Sequence, residues 1–163
     1  MDFNLAEVFD GVPGNVGSLP DGPGAYLLLI EAAKGLRLPK TLEGGRLLVA
    51  GTYLYAGSAY GPGGIRARVH RHQKRKKTIR WHVDRLTVRF GVAAVLAWPG
   101  GRECDLVDKL TALDGVSLPV SGFGSSDCRR CRAHLLKLSE GVDGRQLSAV
   151  LGRLRNAVRY RPS

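Results

Sequence analysis

The chain has no apolar run long enough to cross a bilayer. The longest, Gly91 to Pro99, is less than half of the roughly 20 residues that a spanning helix needs. Residues 1 to 20 lack a basic stretch followed by an apolar block, so no secretory leader is expected. Cysteine is sparse: Cys104, Cys128 and Cys131 make an odd set of 3, which speaks against a disulfide framework and for reduced thiols or metal ligands. The turn from Gly61 to Gly64 is not followed by Gly-Lys-Ser or Gly-Lys-Thr, which excludes a nucleotide-binding P-loop. There is neither an internal repeat nor a low-complexity tract. What remains is an ordinary globular balance, 44% hydrophobic and 24% charged over 163 residues, enough for one domain with its own core.

Acidic side chains are outnumbered 14 to 25 by Lys and Arg, and the resulting net charge of +11 is unevenly spread. Residues 1–65 carry a net −2, 66–90 a net +9, 91–127 a net −3 and 128–163 a net +7. Two basic blocks against a neutral or acidic scaffold suit a polyanion-binding face, because each phosphate met by Lys or Arg releases condensed counterions. The alternative is a merely well-solvated basic surface. No amphipathic helix with bulky apolar anchors accompanies the blocks, so a membrane is not the expected partner. Nucleic acid is, and the expected location is cytoplasmic, in association with the nucleoid.

The apolar and turn patterns predict an α+β chain. Residues 1–23 read as a turn-rich lead-in with a short helix at Leu5 to Phe9. Strands are expected over Ala25 to Glu31, Leu47 to Ser58 and Thr87 to Trp98, with a possible hairpin arm between the first two. Helices are expected over Ile65 to Lys74, Glu103 to Leu113, Arg130 to Leu138 and Arg145 to Val158, with a helical turn at Trp81 to Leu86. Residues 24–138 then form a main domain around a small three-stranded antiparallel sheet flanked by helices, and residues 139–163 a basic amphipathic helix packed on it.

Several blocks together are diagnostic. Gly24-Ala25-Tyr26 on the first strand and Tyr55-Ala56-Gly57-Ser58-Ala59 on the second precede a helix bearing Arg68 and, one turn on, His72. Glu103 opens the helix after the third strand. This constellation resembles the signature of the GIY-YIG nuclease superfamily. With Arg80-Trp81-His82-Val83-Asp84, Glu103-Cys104 and Gly122-Phe123-Gly124-Ser125-Ser126-Asp127-Cys128, it is similar to a branch found alone or joined to an endonuclease III type DNA glycosylase. The Tyr26-to-Tyr55 spacing is longer than in the best-known members, which implies an elaborated first hairpin, and the family's late asparagine has no counterpart here.

The resemblance implies a metal-dependent endonuclease that hydrolyses phosphodiester bonds in DNA, directed by structure or damage, with a glycosylase as a conceivable partner. A non-catalytic nucleic-acid-binding module on the same fold is the alternative. In the nuclease reading Glu103 ligates Mg²⁺ or Mn²⁺, where a plain helix-start acid is the competing view. Arg68 presents a forked cation to the phosphate, His72 relays a proton, holds a phosphate or packs as a partly buried imidazole, and Tyr26 or Tyr55 deprotonates water. A phenol titrates near ~10, so that last role demands a strongly shifted pKa. Ser58, Arg66, Arg71, Lys74, Arg75, Lys76, Lys77, Arg80, Trp81 and His82 are candidate nucleic-acid contacts, and Trp81 could equally be core. Cys128-Arg-Arg-Cys131-Arg-Ala-His134 has soft-ligand spacing that Cys104, or Asp127 or a further histidine, can complete as a Zn²⁺ site; buried thiols beside a helix histidine, or a hydrogen-bond network centred on Asp127 near the active site, are the alternatives.

Overall fold

The computed structural model describes residues 5–9, 12–14 and 16–162. In chain order the elements are α1 (Leu5–Val8), β1 (Val12–Gly14), a 3-10 turn (Val16–Ser18), β2 (Gly24–Ala32), β3 (Leu36–Arg37), β4 (Leu47–Leu48), β5 (Gly51–Ser58), α2 (Gly64–Gln73), α3 (Asp84–Phe90), β6 (Ala94–Pro99), α4 (Glu103–Thr111), β7 (Val116–Ser117), β8 (Leu135–Leu138), α5 (Gly144–Gly152) and β9 (Val158–Pro162). Seven strands form one sheet in the order β1-β9-β6-β2-β5-β8-β7. Neighbours run antiparallel except β1 with β9.

Central β2 reads Gly-Ala-Tyr-Leu-Leu-Leu-Ile-Glu-Ala and is buried at all but one position. Such a run, rather than an alternation, belongs to a strand covered on both faces. One face packs Tyr26, Leu28, Tyr53 and Tyr55 against Ile65 and Val69 of α2 and Val83 and Leu86 beside and within α3. The other packs Ala25, Leu27, Leu54 and Leu96 against Leu106 and Leu110 of α4 and Leu147 and Leu151 of α5. The chain is therefore a mixed α+β fold with helices on both sides of one sheet.

The sheet is larger than the three strands expected, and the difference lies at its flanks. The run 130–138, expected as a helix, instead ends in β8, whose Leu135–Leu138 pairs with Tyr55–Thr52 of β5. The helix expected over Arg145 to Val158 stops at Gly152; Val158–Pro162 then turns into the sheet beside β6 and β1. Residues 139–163 are thus not one helix. The strand expected from Thr87 begins at Ala94, because Asp84–Phe90 is helical and Arg75 donates to the carbonyls of Val88 and Arg89 at its end. Each of these segments is short, and its state is decided by the strand or side chain waiting beside it. Residues 1–4, 10, 11 and 15 of the lead-in, and residue 163, lie outside the described residues. The long interval between Tyr26 and Tyr55 is filled by the β3–β4 hairpin.

Candidate active site and metal cluster

A cavity of about 800 Å³ opens at the end of the sheet, where β5 finishes and β8 begins. Tyr26, Tyr55, Ser58, Arg68, Arg80, Trp81, His82 and Glu103 line it, joined by Asp127, Arg129 and His134. Arg68 arrives from α2, on one face of the sheet, and Glu103 from the first turn of α4, which packs on the other face. They meet at the open end of the strands.

The two tyrosines share a face because of strand register. Tyr26 pairs with Gly57 and Leu28 with Tyr55, so the phenols are diagonal neighbours. A Cβ on Gly57 would overlap the Tyr26 ring, so glycine lets that ring lie across β5. There Tyr26 Oη is 2.7 Å from His72 Nε2. His72 Nδ1 is buried without a hydrogen-bond partner and lies 4.0 Å from Asp84 Oδ1. That carboxylate favours the tautomer with its proton on Nδ1, which leaves Nε2 to accept from the phenol.

Burial, reinforced by the Lys77 ammonium, lowers the His72 pKa to about 3. Burial and then Tyr55 push the Tyr26 phenol well above its usual range, and burial and then Asp84 push Tyr55 up to about 12. Both phenols therefore keep their protons at neutral pH, and the shift runs opposite to the one a phenolate base requires.

His72 also sets a pH dependence. Below about 6.5 the unfolded imidazole takes up a proton that the folded one refuses until about 3, so stability is expected to fall as pH drops through that window. The limit is about 1.4 kcal/mol per pH unit. Thermal melts between pH 7 and pH 4 measure the slope, and His72→Gln, which retains an acceptor for Tyr26, should flatten it.

The expected nucleic-acid contacts divide by what their donors already serve. Arg66 Nε donates to Leu19 O at 2.8 Å, Arg75 to Val88 and Arg89, and Lys77 Nζ to His72 O at 2.9 Å and Thr87 Oγ1 at 2.8 Å. Arg71 clasps Asp84 with both terminal nitrogens at 2.7 and 2.8 Å. These cations hold the fold. Arg68 makes no ion pair among the described residues; its guanidinium stacks over Trp81 at 4.7 Å, with Arg71 also against that ring at 4.1 Å. Arg80 lines the cavity, while Lys74 and Lys76 are exposed outside its lining. The helix-start amides of α2 are already taken, Ile65 N by Gly22 O and Arg66 N by Pro20 O. His82 accepts from Gly124 N at 2.9 Å, with its ring against Phe123.

Asp84 is the residue that the sequence understated. It is fully buried, and besides Arg71 it takes the backbone amides of Arg80 at 2.8 Å and Trp81 at 3.0 Å. Burial works to raise its pKa, but the Arg71 hydrogen bonds and those two amides outweigh it and hold the carboxyl well below the usual range. A lone aspartate inside a block of ten cations was the available signal. Asp127 lines the cavity from the loop before β8, and Arg129 joins it there with no repeating pattern to announce it.

Behind Glu103 the cysteines gather. The ligand atoms of Cys104, Cys128, Cys131 and His134 all lie within 4.8 Å of one another, a group that could hold a metal ion such as zinc.

A protein-family model described as a domain of unknown function, DUF123, matches residues 25–155. No curated protein and no solved structure matches.

Proposed function

The chain belongs to the DUF123 family of domains of unknown function, and we propose that it is a divalent-metal-dependent endonuclease of the GIY-YIG kind, hydrolysing phosphodiester bonds in structured or damaged DNA. The reading is carried by one observation: an arginine without an ion pair among the described residues and a carboxylate, borne by helices on opposite faces of the sheet, line one cavity with two tyrosines.

Arg68, always cationic and free of a protein acceptor among the described residues, would grip the non-bridging oxygens as charge builds on them. Trp81 holds it there by stacking. Attacking water would pass a proton to Tyr26 as Tyr26 passes its own to His72 Nε2, and the new imidazolium would face Asp84. A phosphodiester bound before Arg68 adds negative charge that offsets the cations, Lys77 first, that add to burial in depressing His72. Glu103 and Asp127 supply the carboxylate oxygens, in a cavity with room for waters, that a hard Mg²⁺ or Mn²⁺ accepts, and Glu103 would hold such an ion, which would neutralise developing phosphate charge. The leaving oxygen takes its proton from solvent in the open cavity.

The test is cleavage of duplex, flap, branched and single-stranded DNA, with RNA alongside, in Mg²⁺ and in chelator. Absence of cleavage on all of them, with salt-sensitive binding retained, replaces this reading by a non-catalytic binding module. The upward shift of both phenols favours that second reading.

Either reading predicts electrostatic binding outside the cavity through exposed Lys74 and Lys76. Replacing each by Ala should reduce the slope of log affinity against log salt by about 1, measured by fluorescence anisotropy over a salt series. A DNA glycosylase partner follows from the resemblance to fused relatives alone, and stimulation of such an enzyme by the added protein is its check.

A further inference from the structure

We propose that Cys104, Cys128, Cys131 and His134 bind one structural Zn²⁺, and that this ion holds Glu103 in place by tying the first turn of α4 to the loop that forms the far wall of the cavity. Three thiols and one imidazole are a complete tetrahedral set for a soft-tolerant cation, with no position left for water. The spacing of the atoms fits. Zinc–sulfur bonds of about 2.3 Å imply ligand–ligand edges of about 3.8 Å. Cys104 Sγ lies 3.4 Å from Cys128 Sγ and 3.9 Å from His134 Nε2.

Two further features belong to a metal ligand set. The backbone amide of Cys131 points at Cys128 Sγ at 3.3 Å, a donor that supports a thiolate. The His134 backbone is held on both sides, its amide donating to Phe123 O at 2.8 Å and its carbonyl accepting from Ala56 N at 3.0 Å, which fixes where a ligating imidazole would stand. Cys104 and His134 are only 8% and 4% exposed, so the ion would be shielded.

The location gives the ion its role. Cys104 follows Glu103 directly, whereas Cys128 and His134 line the same cavity from the segment before β8. That segment has no strand or helix from residue 118 to 134 and is held by turn hydrogen bonds. A tetrahedral ion would join it to α4 far more rigidly than thiol contacts do.

Zinc binding is read without nucleic acid, so its failure and that of the nuclease reading are separable. Protein purified without chelator should carry about one zinc per chain by elemental analysis, and Cys128→Ser should lower that about tenfold. Co²⁺ titration of the unaltered, zinc-stripped protein should give thiolate-to-cobalt charge-transfer and tetrahedral ligand-field bands. Stripping should lower the melting temperature by about 10 °C, restored by Zn²⁺ and not by Mg²⁺. Hydrogen exchange should rise at residues 102–106 and 122–134. Zinc below about a tenth per chain together with no cobalt–thiolate band would overturn the site. Bound zinc whose removal leaves exchange at both segments unchanged would overturn its positioning of Glu103.

Discussion

Arg68→Ala is expected to slow phosphodiester cleavage by about a hundredfold or more while leaving the affinity for the same DNA within a few fold. The asymmetry follows from what the arginine does. In a cavity also lined by Arg80 and Arg129 its charge is one of several that attract a polyanion, so binding loses little. In the proposed mechanism it is the guanidinium placed against the reacting phosphate, and losing one such donor costs about 3–4 kcal/mol. Glu103→Gln should act similarly, since it keeps the size of the side chain and removes the anionic oxygen a hard cation needs. Cleavage rates under single-turnover conditions with anisotropy binding curves separate the two quantities. Variants that cut as fast as the parent protein would assign the activity to a contaminant.

The second large effect is on stability. Asp84→Ala should destabilise the fold by about 3–5 kcal/mol and lower the melting temperature by about 10 °C, because it strands a largely buried guanidinium, a buried ammonium and two backbone amides at once. Arg71 and Lys77 have side chains only 22% and 6% exposed, so water does little to replace the lost carboxylate. Thermal melts of Asp84→Ala and Arg71→Ala, with the double variant, test the account. The double variant should lose less than the two single losses combined, since each alone leaves the other's partner unpaired. The same carboxyl makes an acid-side prediction. Its folded pKa lies below the unfolded one, so its contribution is present above about 4 and disappears as pH falls through the lower folded value.

Asp84 also separates what a linear reading can and cannot reach. Its charge was visible in a run of cations, but its partners Arg71 and Lys77 look in sequence like any other members of a basic patch. Only the approach of α3 to the end of α2 turns them inward onto one carboxylate. Counting charge cannot tell a cation facing solvent from one spent on a carbonyl, and that is why Arg66, Arg75 and Lys77 read alike with Lys74 and Lys76.

By itself the sequence determined the elements with strong local patterns: β2 from its unbroken apolar run, β5 from its Thr and Tyr content, although the strand expected from Leu47 breaks after Leu48 and resumes at Gly51, and α2 and α4 from their helical stripes. It also determined that Arg68 and His72 lie a turn apart, that Glu103 heads a helix and that the soft ligands sit at metal-site spacing, because these are intervals along one backbone. Tertiary structure decided the state of residues 130–138 and 158–162, where a few residues pair with β5 and β6 and neighbouring strands outweigh weak local preference. It decided, too, that Arg68 and Glu103 line one cavity although their helices cover opposite faces of the sheet, since both reach its open end. Distances between segments far apart in the chain are set by packing, and packing is not written in any single interval.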